Sequence, residues 1–393
     1  MTGNEIRSMT RSTIVGPAQL ALGDGSQRFG RIVIQGGRIV EILDGAGPSD
    51  LPIPAGATVS PGLIDVHTNG ADEHLFNRDQ AAAVRVASAF YARCGATGFV
   101  ASIMTAPWES MLHVASSVAE AAHELEETGP PGARCLGLQF EGPFLNPKFR
   151  RVHRAEWLLP ATIDHMRAAV EACKGALVMM AMAPEVDGVA DAARWLHAQG
   201  IVCSAAHTAA KYAEGVLAIG VGFRSLTHAF NGMGPLDHRD PSLLPAFIED
   251  ERTTIQLICD GVHVAPPTVN VLYRACGERL VIATDNMPPA GPGYRIEGGV
   301  MRAEDGTIAG SALRIDQGVR NLMAFARIPF ERAVIAATAA PARLLGLDRE
   351  LGTIAPGKRA DFAIWDAEYH VVATLLAGEP VYGADYLHAK AAS

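Results

Sequence analysis

Residues that can bind a metal ion or transfer a proton stand at the ends of short apolar runs in this sequence. Five of the runs end in His67, Glu141, His207, His228 and Asp285. A hydrolytic zinc ion takes imidazole nitrogens and carboxylate oxygens as ligands and keeps one position for water, whose pKa falls towards ~7. A further carboxylate can then move the proton. One histidine at a strand end is usually a loop or capping residue, but here five runs agree in type and position. The pattern therefore predicts a metal-dependent hydrolytic site.

The runs themselves are typical of strands buried on both faces of a parallel sheet. Helical patterns such as QAAAVRVASAFYARCGA and DGVADAARWLHAQG separate them. Eight such units over roughly 290 residues predict a (β/α)8 barrel of TIM type, in which the carboxyl ends of all strands share one rim. An open doubly wound sheet is the alternative, but no GxGxxG follows the first strand. The predicted strands are 59–67, 97–104, 135–142, 176–185, 201–207, 224–230, 254–261 and 279–285.

The two ends of the chain differ from this middle part. Both are rich in short β-type runs, and IQGGRIVEIL indicates two strands joined by a Gly-Gly hairpin. Because chain termini often lie close together, we expect one small β-sandwich domain built from both ends. The predicted division is 1–59 and 351–393 for this domain and 60–350 for the catalytic barrel.

Composition limits the possible partners and location. Apolar residues make up 49% of the chain, and 33 Lys and Arg against 42 Asp and Glu give a net charge of −9. An acidic chain without a basic block is a poor ligand for nucleic acid or an anionic membrane. Six scattered cysteines without a CxxC pair indicate reduced thiols. The start, MTGNEIRSMTRST, lacks the apolar stretch of a signal peptide, and no apolar run is long enough to span a bilayer, so we expect a cytoplasmic protein.

Several longer motifs carry a resemblance to a known family. They are PGLIDVH, EGPFLNPKFRRVH, THAFNGM with a following arginine, DGVHV, IATDNMPPAG and AGSAL. Through them the sequence resembles the N-acetylglucosamine-6-phosphate deacetylase family of the amidohydrolase superfamily. PGLIDVH alone is typical of the superfamily, whereas the combination is typical of the deacetylases.

The resemblance implies a role for particular residues. Glu141, His207 and His228 are expected to bind the metal, Asp285 to act as catalytic acid and base, and His153 to contact the acetamide carbonyl. Expected substrate contacts are Val152, Asn231, Gly232, Arg239, Asp260, Gly261, Val262, His263, Ile308, Ala309 and Gly310. For Arg239 the alternative is a surface ion pair with Asp237 or Asp240. The resemblance also implies a homodimer, because a neighbouring subunit completes the phosphate pocket in this family.

The sequence departs from the family pattern at three places. Asn69 stands where many amidohydrolases have the second histidine of His-x-His, so we expect one tightly held ion, with His67 orienting water or holding a weak second ion. Arg150 and Arg151 stand where the family has Lys-Gly, which adds charge and places a side chain where glycine tolerates positive φ. Ala209 replaces an asparagine. These changes bear on substrate more than on reaction type.

The expected reaction is hydrolysis of the N-acetyl group of N-acetylglucosamine 6-phosphate, giving glucosamine 6-phosphate and acetate. Zinc is the expected ion, with iron, cobalt or manganese as alternatives. Other substrates stay open: N-acetylgalactosamine 6-phosphate, an unphosphorylated N-acyl sugar, or an N-acyl amino acid. A non-catalytic scaffold is disfavoured because the ligand set and Asp285 are all present.

Overall fold

The computed structural model describes residues 12–289 and 294–391. Its strands are β1 (Thr13–Ala21), β2 (Gln27–Gln35), β3 (Arg38–Asp44), β4 (Thr58–Pro61), β5 (Leu63–Thr68), β6 (Gly70–Ala71), β7 (His74–Leu75), β8 (Ala96–Met104), β9 (Arg134–Glu141), β10 (Leu177–Met182), β11 (Val202–Ala205), β12 (Phe223–Leu226), β13 (Thr254–Leu257), β14 (Leu280–Ile282), β15 (Arg295–Glu297), β16 (Val300–Arg302), β17 (Ile308–Ser311), β18 (Phe362–Trp365), β19 (Val371–Leu376) and β20 (Glu379–Tyr382).

The α-helices lie mostly between the central strands. They are α1 (Phe76–Asp79), α2 (Ala81–Arg93), α3 (Trp108–Thr128), α4 (Ile163–Ala172), α5 (Val189–Ala198), α6 (Tyr212–Gly220), α7 (Leu244–Glu249), α8 (Pro266–Cys276), α9 (Ile315–Ala326), α10 (Phe330–Ala333), α11 (Ala339–Leu344) and α12 (Ala384–Ala391). Among the residues described, no helix combines the length and apolar character that crossing a membrane requires.

Eight parallel strands form the predicted barrel, in the order β14-β13-β12-β11-β10-β9-β8-β5. Backbone bonds close it between the last strand and the first, because Asp285 N donates to His67 O and Asn69 N donates to Asn286 O, both at 2.9 Å. Apolar side chains on the strands and on the facing helix sides form one large buried cluster. The (β/α)8 prediction is confirmed, and it brings the carboxyl ends of the strands to one rim.

The two ends of the chain meet in one seven-stranded sheet, in the order β20-β19-β18-β4-β1-β2-β3. The predicted Gly-Gly hairpin joins β2 and β3: Gly36 and Gly37 have φ of 58° and 74°, conformations that favour glycine. Buried side chains from both ends, such as Leu20 and Ile364, share a separate core.

The first predicted run, 59–67, is in fact two strands. Its beginning belongs to β4, which pairs with β1 and β18 in the terminal sheet, and only β5 enters the barrel. Gly62 lies between them and fits against Thr97, since a Cβ there would meet the Thr97 hydroxyl oxygen at 2.1 Å. A continuously buried run therefore crosses from one sheet to the other without an exposed turn.

Candidate active site

Three side chains from neighbouring barrel strands converge at the carboxyl rim. Glu141 is the last residue of β9, and His207 and His228 follow β11 and β12. The Nε2 atoms of His207 and His228 lie 3.1 and 3.4 Å from Glu141 Oε1. All three side chains are buried, and one ligand atom from each lies within 4.8 Å of the others. This arrangement is a possible metal site.

The donor set fits a divalent ion. His207 Nδ1 donates to the Phe149 carbonyl oxygen at 2.9 Å, so in the neutral ring the lone pair of Nε2 faces the Glu141 carboxylate. A ring nitrogen and a carboxylate oxygen with lone pairs facing each other at this distance call for a cation. Two imidazole nitrogens and one carboxylate oxygen, with a backbone carbonyl orienting one ring, are the ligands and support expected for zinc.

Three residues of the site have positive φ angles, which residues other than glycine rarely adopt. The φ angles of His207, His228 and Asp285 are 45°, 32° and 48°. Residues in this left-handed region store strain and persist where the surrounding structure holds them. The strained positions coincide with the strand ends that turn polar side chains towards the cavity.

Asp285 stands on the same rim, three residues after β14, and it is only half-buried. Asn69 Nδ2 donates to Asp285 Oδ1 at 2.8 Å. The sequence pattern presents Asn69 only as a missing metal ligand, whereas the structure shows it holding one carboxylate oxygen in place. Within the part of the chain that the structure describes, no hydrogen bond reaches the second oxygen, Oδ2, which can therefore contact a ligand or take up a proton.

His67 lies between Glu141 and Asp285 and is completely buried. Its Nε2 atom is 3.6 Å from Glu141 Oε2 and from Asp285 Oδ1, and neither ring nitrogen has a hydrogen-bond partner among the described residues. Burial disfavours the charged ring, but the carboxylates of Glu141, Asp285 and Asp65 together outweigh burial and raise the pKa of His67 to about 9. Conversely, burial opposes ionisation of Glu141, yet His67 and the hydrogen-bonded histidines hold the Glu141 pKa well below its usual range.

A cavity of about 340 Å³ opens above these residues. Its lining includes most of the side chains that the sequence predicts: Glu141, Val152, His153, His207, His228, Asn231, Gly232, His263, Asp285, Ile308, Ala309 and Gly310. His153 is buried at the wall, where its Nε2 lies 3.8 Å from Glu141 Oε1, and burial lowers the pKa of His153 and of His228.

Five of the predicted site residues do not line the cavity: His67, Arg239, Asp260, Gly261 and Val262. Asp260 instead orients His263, because its Oδ2 accepts from His263 Nδ1 at 2.6 Å. Arg239 is exposed in a turn, where its backbone nitrogen donates to Asp237 Oδ1 at 2.7 Å.

Comparison with known proteins shows the family to which the chain belongs. The model of the family described as "Amidohydrolase family" matches residues 58–384. A relative from Vibrio furnissii, an N-acetylglucosamine-6-phosphate deacetylase, is 31% identical, with 88% of each chain covered. The chain belongs to the amidohydrolase family and, within it, to the N-acetylglucosamine-6-phosphate deacetylases. It is therefore a hydrolase that acts on amide bonds.

Two further relatives of this amidohydrolase bear on its substrate. An N-acetylgalactosamine-6-phosphate deacetylase from Escherichia coli O157:H7 is also 31% identical, with 86% of this chain and 93% of the relative covered. A Mycobacterium smegmatis N-acetyl-D-glucosamine-6-phosphate deacetylase variant, solved in complex with N-acetyl-D-glucosamine 6-phosphate, is 31% identical. It has a TM-score of 0.86 and covers 94% of this chain and 99% of its own.

Six residues that line the cavity of this amidohydrolase are not among the site residues predicted from the sequence. They are Asn69, Met104, Arg151, Ile258, Gly306 and Thr307. Asn69 and Arg151 carried a signal, since both depart from the family pattern. Gly306 and Thr307 come from the hairpin of β16 and β17, which folds over the rim and carries no pattern of its own.

Proposed function

We propose that this chain hydrolyses the N-acetyl group of N-acetylglucosamine 6-phosphate, giving glucosamine 6-phosphate and acetate. One observation carries the proposal: the Glu141, His207 and His228 group and the Asp285 carboxylate face a single cavity at the barrel rim. The solved relative bound to this substrate, which shares the fold over nearly its whole length, supports the same assignment.

We propose that Glu141, His207 and His228 hold one divalent ion per subunit, with zinc favoured over iron, cobalt or manganese. Such an ion supplies a Lewis acid that polarises the amide carbonyl and increases the acidity of water. His67, buried between the carboxylates of Glu141 and Asp285, orients them in this scheme, with a weak second ion at His67 as the alternative.

The side chains of the chain itself move the proton and orient the amide. Asp285 Oδ2 accepts the proton of the attacking water while Asn69 holds Oδ1. The water oxygen bonds to the acyl carbon, and Asp285 then gives the proton to the leaving nitrogen as the carbon–nitrogen bond breaks. His153 contacts the carbonyl oxygen, where negative charge develops, and one such donor is worth roughly 3 kcal/mol.

The phosphate of the proposed substrate requires a positively charged partner in the cavity. Among the described residues that line it, Arg151 is the only lysine or arginine. We propose that Arg151 binds the phosphate together with His263 and that a second subunit contributes Arg239.

Leu236, three residues before Arg239, is 50% exposed, as expected for a side chain that a partner covers. The protein is thus proposed to be a homodimer, and its free cysteines suit a cytoplasmic location. Sedimentation showing a fully active monomer at micromolar concentration would contradict the dimer.

Acetate release from a panel of N-acetyl sugars tests the function. We expect kcat/KM for N-acetylglucosamine 6-phosphate to exceed that for N-acetylgalactosamine 6-phosphate, for both unphosphorylated sugars and for N-acetyl amino acids. Preference for the galactosamine epimer would favour the activity of the Escherichia coli relative instead. Absence of acetate release from every sugar, with metal bound, would refute the proposal.

A further inference from the structure

A carboxylate outside the cavity connects the two segments that present Glu141 and His207. Glu185, three residues after β10, accepts three hydrogen bonds. Its Oε1 atom accepts from Asn146 Nδ2 at 2.9 Å and from Ala209 N at 2.5 Å, and its Oε2 accepts from Thr208 Oγ1 at 2.5 Å. Asn146 lies on the loop after β9, while Thr208 and Ala209 directly follow His207.

The same two segments contact each other around His207. Asn146 N donates to His207 O at 2.9 Å, and Phe149 O accepts from His207 Nδ1 at 2.9 Å. The backbone of His207 has a φ of 45°, which must be maintained by its neighbours. Glu185 fixes the residues on the carboxyl side of His207 and, through Asn146, the loop that orients its ring.

We propose that Glu185 is a positioning residue for the metal site, which rests on the proposed ligand role of His207. Its charge-assisted hydrogen bonds keep the residues around His207 in the conformation that turns Nε2 towards Glu141. Residues that orient metal ligands typically contribute roughly 10- to 100-fold to metal affinity or activity. Glu185 itself does not line the cavity.

Two substitutions separate the contribution of the hydrogen bonds from that of the charge. Glu185→Ala removes all three hydrogen bonds. Glu185→Gln keeps an oxygen that can accept from Asn146 and Ala209 but loses the charge. Asp187→Ala is the matched control, because Asp187 lies on the same loop and its side chain is exposed.

The experiment measures the zinc dissociation constant of each purified full-length variant by competition with a chelator, together with thermal unfolding of the metal-free form. We expect Glu185→Ala to bind zinc roughly 10- to 100-fold more weakly, Glu185→Gln to fall between it and the parent, and Asp187→Ala to match the parent. Excess zinc should restore most of the kcat of Glu185→Ala.

Unchanged zinc affinity in Glu185→Ala, or equal losses in Glu185→Ala and Asp187→Ala, would overturn the proposal. If Glu185→Ala does not fold, the result for Glu185→Gln decides, and parental affinity in that variant counts against the role. His207→Ala serves as the reference for the site. Loss of zinc in His207→Ala with full affinity in Glu185→Ala refutes only the role of Glu185, whereas zinc retained by His207→Ala refutes the ligand assignment itself.

Discussion

Asp285 and Asn69 form a pair at the rim, although they lie far apart in sequence. Barrel closure brings β5 and β14 together, and the Asn69 amide then donates to Asp285 Oδ1 at 2.8 Å. An asparagine that cannot serve as a good metal ligand serves here as a hydrogen-bond donor. Asn69 is therefore a hydrogen-bond partner of Asp285 that the sequence motifs alone do not indicate.

Replacing Asp285 by asparagine should abolish proton transfer and leave the metal in place. The amide keeps the size of the carboxylate but cannot accept the proton of water. We expect kcat for the N-acetyl sugar to fall by roughly 100-fold or more with metal content unchanged. Steady-state kinetics and metal analysis check this. Loss of the metal would make Asp285 a ligand, and retention of most of kcat would assign the base to another group, with His67 next.

Arg151 should determine the preference for phosphorylated sugars. Hydrogen bonds to a charged group contribute about 1.5 to 3 kcal/mol, which corresponds to roughly 10- to 100-fold in kcat/KM. Arg151→Gln should therefore lower the ratio of kcat/KM for phosphorylated over unphosphorylated N-acetylglucosamine by that factor. Arg154→Gln is the control, because the Arg154 side chain lies over the Trp157 ring and not in the cavity. An unchanged ratio in Arg151→Gln would assign phosphate binding elsewhere.

At the scale of elements, a buried ion pair joins the barrel to the terminal sheet. Arg134, at the start of β9, donates to Asp361 Oδ2 at 2.7 Å, and Asp361 Oδ1 accepts from Ala377 N at 2.7 Å. The side chains of Arg134 and Asp361 are 9% and 2% exposed. The two sheets are therefore linked by a contact that water does not screen.

Asp361→Asn should destabilise the protein, because it leaves the buried Arg134 charge without its main partner. Such losses typically amount to about 3 to 5 kcal/mol in the free energy of unfolding. Glu124→Gln is the control, since Glu124 pairs with Arg85 on the surface, where ion pairs are worth about 1 kcal/mol or less. Urea denaturation of both variants measures the difference. Equal effects in the two variants would show that the Arg134 pair contributes no more than a surface contact.

The sequence predicted the barrel because eight apolar runs alternate with helices, and it predicted the strand-end residues because parallel strands share a rim. It misplaced the start of the first run, because residues 58–68 are all buried, whether they lie in the terminal sheet or in the barrel, and no exposed turn separates the two strands. It left out the hairpin of β16 and β17 over the cavity, where Gly306 and Thr307 carry no periodic signal. The domain division at 59/60 and 350/351 stays a prediction.

At the scale of the whole molecule, the cysteines are part of the packed interior. All six are free, five are buried, and burial raises the pKa of Cys94, Cys173 and Cys203 to about 12. Because the thiolate is the reactive form, these thiols should resist alkylation.

Alkylation with iodoacetamide at pH 8, followed by mass spectrometry, tests this packing. We expect none of the five buried thiols to react in the native protein and all six to react in guanidinium. We expect the buried thiols to stay unreactive at every pH up to 9, since their raised pKa values keep them protonated there. Rapid modification of Cys94 or Cys203 without unfolding would mean that the interior opens readily.

The binding of one divalent ion by Glu141, His207 and His228 is the feature on which the proposed hydrolysis depends most. Anomalous X-ray diffraction from crystals of the zinc-loaded protein measures it directly. We predict one peak per chain, roughly 2.0 to 2.2 Å from a Glu141 carboxylate oxygen and from Nε2 of both histidines. An ion bound instead between His67 and Asp285, or no ion within reach of His207 and His228, would contradict the assignment.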